Sequence, residues 1–309
     1  MDNSSVLEVR KIKEVNISSN ISIYETLLEN FEKISKKIKQ NLTKACVVNS
    51  RIEPELFEKN QYLCHGYAWF ETYRVSLAHT LSWFNRLKMS GKSSKLDELI
   101  LSVAFSEYSL QMRDGIMMSQ SEMIRPKLDF NLSENDFSFL ATDEVKGVID
   151  FGLDEKTKSM IVEYMDQGQF PSLGLEDETL EMIQDQFKKF TDEKITPFAH
   201  EWHLKDDLIP MQIIEKMSEM GVFGLTIPEE YGGLGMSRFV DCVVTEELAR
   251  GYIGIGSLGT RGDIAAELLI TGGTEDQKLK FLPKIASGET LPCAVLTEPH
   301  SGSDMGSFK

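Results

Sequence analysis

The sequence predicts a mostly α-helical protein of more than one domain, and three observations carry that expectation. Apolar residues recur at three- and four-residue spacing through most of the 309 residues, as in helices with one buried face. One segment alone, Leu291 to Thr297, reads as a strong strand candidate. The charge also steps: residues 1–150 hold 19 Lys+Arg against 21 Asp+Glu, net −2, while residues 151–309 hold 14 against 28, net −14. A step of that size near residue 150 suggests a domain boundary.

In the front half, Ile23, Leu27, Phe31, Ile34, Ile38 and Leu42 form one stripe and predict the first helix. Leu56, Leu63, Phe70, Leu77 and Phe84 fall seven apart, with Tyr67 and Leu81 on the same face, and predict a second that Ser90-Gly91 ends. Leu96, Leu99, Val103 and Leu110 predict a third before Pro126. The stretch 127–175 is mixed, with a short helix expected over 155–166 and linker signals at Gly168, Pro171 and Gly174.

In the back half, Leu180, Ile183, Phe187 and Phe190 predict a helix stopped before Pro197. Met211, Ile214, Met217 and Met220 predict another, closed by Gly221. A Gly-rich bend follows from Ile227 to Gly235. Val240, Val244 and Leu248 then mark one helix, and Ile264 with Leu268 mark another that opens near Asp263. Thr274-Glu275-Asp276-Gln277 fits a capping box, in which the Thr and Gln side chains satisfy orphan amides at a helix start. Pro283 falls near the end of that helix, and Ser287-Gly288-Glu289 turns the chain into the strand candidate.

Composition narrows the function. No run of about 18 apolar residues suits a membrane span, and the N-terminus lacks a basic segment followed by an apolar core. A net charge of −16 repels phosphate backbones and anionic lipid, which disfavours nucleic-acid and membrane binding. Cys46, Cys64, Cys242 and Cys293 are widely spread without CxxC spacing, as expected of reduced thiols in a cytoplasmic protein.

The segment Ala294-Val295-Leu296-Thr297-Glu298-Pro299-His300-Ser301-Gly302-Ser303-Asp304 carries the chemistry. A strand running into a Pro-Gly-Ser loop offers backbone amides and hydroxyls to an anionic or heteroaromatic cofactor. Composition alone would equally suit an ordinary polar turn. The wider pattern decides between them. Ile227-Pro228-Glu229-Glu230-Tyr231-Gly232-Gly233-Leu234-Gly235, Gly273-Thr274-Glu275-Asp276-Gln277, Leu282-Pro283 with Ser287-Gly288-Glu289, and Thr297-Glu298-Pro299 leading to Gly302-Ser303-Asp304 stand in one order over about 80 residues. In that order and spacing the chain resembles the acyl-CoA dehydrogenase family. The resemblance implies FAD as cofactor, with Ala294, Val295, Leu296, Thr297, Glu298, Pro299, His300, Ser301, Gly302 and Ser303 lying along it. Backbone groups near Leu296 and the Thr297 hydroxyl would approach the flavin ring, and Ser303 would face both cofactor and substrate. Many relatives have an aromatic residue where Ala294 stands, which leaves that side chain without an assigned role.

Other motifs need weighing. Gly254-Ile255-Gly256-Ser257-Leu258-Gly259 spells GxGxxG, yet the dinucleotide fingerprint needs a strand before it, and Val240 to Arg250 reads as helix. His200 and His203 could share a helix face, but with no third ligand cluster nearby they read as surface histidines, and no metal is expected. Cys64-His65 reads as a buried helical cysteine beside an incidental histidine rather than an activated thiolate. Arg261, between Gly259 and Gly262, borders the deep end of the family's acyl pocket by resemblance. A guanidinium there could pair bidentately with a substrate carboxylate, although a solvated loop arginine or a salt bridge is the plainer reading.

About 170 residues precede the part common to the family. With Gly259-Thr260-Arg261 and Ala265-Ala266-Glu267-Leu268, that helical front resembles the bacterial (2S)-methylsuccinyl-CoA dehydrogenases, whose substrate carries a free carboxylate. The implied organisation is a helical extension at 1–150, a linker at 151–174, the family's N-terminal helical domain at 175–290 and the first strands of a truncated β domain at 291–309. The family's catalytic Glu, which removes the α-proton while a β-hydride passes to the flavin, is expected beyond Lys309. The chain is thus expected to be an inactive fragment of a longer enzyme. The resemblance also implies an acyl-CoA substrate, an electron-transfer flavoprotein as acceptor and a homo-oligomer at full length. The alternatives are a general short- or medium-chain acyl-CoA dehydrogenase and a non-catalytic helical interaction protein.

Overall fold

The computed structural model describes residues 21–308 other than Glu176, Ala294 and Leu296, and omits the side chain of Ser307. The chain divides into two compact units, 1–174 and 175–309, and both are built of helices.

The first unit begins with α1 (Ile21–Cys46). Of its predicted stripe, Leu27, Phe31, Ile34 and Ile38 are buried and Ile23 and Leu42 half-buried, and Tyr24, outside that stripe, is buried with them. A hairpin of two-residue strands, β1 (Val47–Val48) and β2 (Arg51–Ile52), reverses the chain into α2 (Pro54–Lys59) and α3 (Gln61–Met89). The single helix expected through Leu56 and Leu63 is therefore two, broken at Asn60. Phe70, Leu77, Leu81 and Phe84 of α3 face α1, with the Phe31 ring 6.3 Å from Phe70. Burying side chains of this size stabilises by about 1.5–3 kcal/mol each.

Ser94 and Asp97 form a capping box that opens α4 (Lys95–Asp114). Leu96 and Leu99 are buried as expected, while Val103 and Leu110 are half-buried and Leu101, Phe105 and Met112 carry the deeper contacts. A second hairpin, β3 (Ile116–Met117) and β4 (Met123–Ile124), leads to α5 (Pro126–Asp129) and a 3-10 segment, Glu134–Ala141. The helices α6 (Asp143–Leu153) and α7 (Glu155–Asp166) follow, the latter at the position the sequence indicates. Helix α6 runs across the charge step at residue 150, and the first unit continues to Gly174. It packs on α4 so closely that a Cβ at Gly152 would fall 2.2 Å from Ser106 Oγ and 2.4 Å from Ser102 O. Ser102 also hydrogen-bonds Tyr24 Oη at 2.9 Å, and burial pushes that phenol up to about 12.

The second unit contains α8 (Glu178–Lys194), α9 (Thr196–Lys205), α10 (Met211–Glu219), α11 (Arg238–Gly251), α12 (Ile253–Gly272) and α13 (Glu275–Ala286). Phe187, Phe190, Ile195, Met217, Phe223, Val244 and Leu248 form its main core. Pro197 sits in the first turn of α9, where its missing N–H costs nothing. Helix α12 opens at Ile253, ten residues before the expected start near Asp263. Ile264 and Leu268, which suggested it, are 43% and 65% exposed, and its buried face is instead Ile255, Gly256, Gly259, Gly262 and Ala266. Apolar periodicity cannot reveal a face made of glycine.

Candidate functional site

Two parts of the second unit hold the residues that the sequence singles out. The first is the chain after α13. Thr274 and Gln277 cap that helix reciprocally, as the motif requires. Its exit is set by Gly288, whose φ of +75° favours glycine and whose Cβ would lie 2.2 Å from Ser218 Oγ. Lys284 reaches back to Glu289 at 2.8 Å, and Thr290 N donates to Lys284 O at 3.0 Å.

The segment expected as a strand does not form one among the described residues: 291–293, 295 and 297 join no ladder, and Val295 is 85% exposed. A strand exists through its partner, and none is paired here. Ala294 and Leu296 lie outside the described residues. After Thr297 the chain makes a tight turn over Pro299 and His300, closed by Glu298 N donating to Ser301 O at 2.9 Å and Ser301 N to Glu298 O at 3.2 Å. Ser301 is buried and donates its hydroxyl to Asp304 O. Thr297, Gly302 and Ser303 remain exposed. Among the described residues, no hydrogen bond is recorded for the Thr297 or Ser303 hydroxyl, so the turn offers two hydroxyl groups to an incoming ligand.

The second part is the outward face of α12. Gly256 meets α11 backbone to backbone, since a Cβ there would stand 2.7 Å from Ala249 Cβ and 2.9 Å from its N. Gly259 would meet Val222 at 3.1 Å. With those glycines turned inward, Arg261 lies well within the helix and is exposed, a correction to its expected loop position. Spacings of three and four put Arg261, Ile264 and Leu268 on one face. The same placement explains the GxGxxG string: it lies in the first turns of α12, and its glycines serve helix packing.

Polar residues that the sequence did not flag surround this face. Arg238 of α11 binds Glu267 at 2.6 Å and Asp263 at 3.6 Å, and Asp263 also accepts from Thr226 Oγ1. Burial first, and the nearby Asp263 charge second, raise the Asp241 carboxyl above its usual range. Asp263 and Glu267 stand four apart, the spacing that could have shown them as one acidic pair. Both have partners, whereas no ion pair is recorded for Arg261 among the described residues. Elsewhere, Glu247 is 6% exposed and is held by Gln184 Nε2 and Arg250 Nε, each at 3.0 Å, which ties α8 to α11. His200 and His203 are exposed on α9. Cys64 is half-buried, and burial with the neighbouring Cys46 thiol pushes it up to about 11, the reverse of an activated thiolate.

Residues 177–289 match the family model described as acyl-CoA dehydrogenase, N-terminal domain. The chain belongs to the acyl-CoA dehydrogenase family. A (2S)-methylsuccinyl-CoA dehydrogenase of Cereibacter sphaeroides is 44% identical over 283 residues, which is 90% of this chain and 50% of the relative. Glutaryl-CoA dehydrogenase of Desulfococcus multivorans is 38% identical over 134 residues, 41% of this chain and 33% of the relative. An acyl-CoA dehydrogenase of Bacillus subtilis is 36% identical over 129 residues, 41% and 34% of the two chains. The chain thus spans half or less of the length of these acyl-CoA dehydrogenases. An alignment of 283 residues must also reach across most of the first unit, because the second holds only residues 175–309. Among the described residues, no helix is long and apolar enough to cross a membrane.

Proposed function

We propose that this chain is the helical front part of an FAD-dependent acyl-CoA dehydrogenase acting on a short, branched acyl-CoA with a free carboxylate, of which methylsuccinyl-CoA is the type. One observation carries the reading: similarity to the Cereibacter sphaeroides (2S)-methylsuccinyl-CoA dehydrogenase extends over 90% of the chain, well beyond the residues of the common N-terminal domain. Arg261 supports it chemically. An exposed guanidinium with no ion pair among the described residues, sharing a face with Ile264 and Leu268, suits an acid-tailed aliphatic chain.

The turn at 297–303 has donors that fit a flavin. The exposed Thr297 and Ser303 hydroxyls can donate to its ring or ribityl oxygens, and Gly302 has only Thr297 Cγ2 within 4 Å of where a Cβ would stand, at 3.8 Å. In this proposal Val295 and the turn Glu298 to Ser301 flank that contact, with Ala294 and Leu296 completing the cofactor strip. FAD held there would supply the acceptor for a hydride from the substrate β-carbon. The residues of this chain hold the reactants in register: the turn positions the cofactor, and Arg261 anchors the far end of the acyl group. An electron-transfer flavoprotein is the proposed acceptor, and the complete enzyme a homo-oligomer.

The test uses the protein expressed from its full reading frame. The expected preparation is yellow, with one FAD per chain, and oxidises methylsuccinyl-CoA in preference to uncharged branched acyl-CoA esters. Arg261→Leu should lower kcat/KM on the carboxylated substrate by about 100-fold, the order of a lost charge pair, with little change on an uncharged ester. Unchanged turnover of the carboxylated ester would remove the substrate assignment; a colourless protein that takes up no FAD would remove the whole reading.

A further inference from the structure

The first unit brings two cysteines from different helices together, with sulfurs 3.9 Å apart. Cys46 is the last residue of α1, and Cys64 lies in the first turn of α3. The chain between them is well tied. The β1–β2 hairpin pairs Val47 with Ile52, and Glu53 N donates to Cys46 O at 2.9 Å. Access is unequal. Cys46 is buried, whereas Cys64 lines an open depression of about 770 Å³ with Phe57, Gln61, Tyr62, His65 and Glu122. The depression therefore gives a small solute access to Cys64, whose sulfur lies 3.9 Å from that of Cys46.

We propose that Cys46 and Cys64 form a reversible disulfide that staples the end of α1 to the start of α3. The oxidant is a small disulfide such as oxidised glutathione, entering by the depression. Cys64 Sγ gives up its proton and attacks one glutathione sulfur, breaking that S–S bond and releasing one glutathione thiolate. Cys46 Sγ then gives up its proton and attacks Cys64 Sγ, displacing the second glutathione. The two protein thiols lose two electrons, the small disulfide gains them, and the two protons end on the released thiols. The sulfurs must close from 3.9 Å to about 2.05 Å, a change within reach of side-chain rotation and a small helix shift. At neutral pH the Cys64 thiol is protonated, since burial and the neighbouring Cys46 sulfur push it up to about 11, which marks a structural pair rather than a fast nucleophile.

The experiment incubates the full chain with oxidised glutathione at about pH 8.5, where more of the thiol is ionised, then blocks free thiols and maps peptides by mass spectrometry. The expected result is a Cys46–Cys64 linked peptide that dithiothreitol abolishes, with the melting temperature of the linked chain raised by about 5 °C through the shorter unfolded loop. Cys64→Ser should give neither link nor shift, and a Cys242→Ser/Cys293→Ser chain should retain both. The proposal is overturned if Cys46 and Cys64 stay free after the exposed Cys242 and Cys293 have been modified, or if glutathione remains on Cys64 with Cys46 unreacted. A linked chain that melts no higher than the reduced one overturns the staple.

Discussion

Single atoms in the second unit carry measurable costs. Thr191 is fully buried, and its Oγ1 has no hydrogen-bond partner among the described residues. An isosteric apolar group removes that penalty, so Thr191→Val should unfold at equal or higher denaturant concentration, by up to about 1 kcal/mol. Asp241 shows the same physics with a charge. Burial and Asp263 raise its carboxyl above the usual range, opposed by Thr245 and Arg238. A group raised in the folded state is harmless below its unfolded pKa and costs stability as pH climbs through its folded one. Asp241→Asn should therefore melt about 1–3 °C higher at neutral pH and show no gain near pH 3, a difference that paired thermal scans will show. Neither residue was legible in the sequence. An isolated Thr or Asp carries no periodic signal, and only the packing reveals the missing partner or the crowded charge.

Among helices, what spacing could show and what it could not divides by residue type. The α1 stripe was readable because Leu27, Phe31, Ile34 and Ile38 are large and apolar. The α12 face was not, because its packing residues are Gly256, Gly259 and Gly262, which carry no hydropathy. Ile264 and Leu268 drew attention to the outward side instead, and so placed the helix start too late. Of these glycines Gly256 makes the close approach to α11, while Gly259 faces Val222 and Gly262 faces Ile285. Gly256→Ala would set a methyl 2.7 Å from Ala249 Cβ and should destabilise by about 1–3 kcal/mol in a chemical-denaturation series, whereas Ile264→Ala should cost far less. The turn closed between Glu298 and Ser301 lies between these cases. Its residues were recognisable by order and identity, but the strand before it depends on a pairing that is not seen among the described residues of that segment.

Over the whole chain, charge and connectivity tell different stories. The composition step near residue 150 falls inside α6, because surface charge need not change where packing does; the division after Gly174 follows from contacts that composition does not encode. Gln167, Gly168, Gln169 and Phe170 are exposed between α7 and the second unit. Brief treatment with proteinase K, which has little sequence preference, should thus cut between Gln167 and Leu173 before any site within α1, α3 or α4, giving two fragments by mass spectrometry; earlier cleavage within those helices would contradict the packing described. The glycine seam has a last consequence for the chain's chemistry. With no side chain between the α11 and α12 backbones at Gly256, no rotamer there can absorb an error, and the spacing of the two backbones is set as on a gauge block. Shimming the seam by one methyl would push the two backbones apart by a fraction of an ångström and carry the outward face of α12 with them.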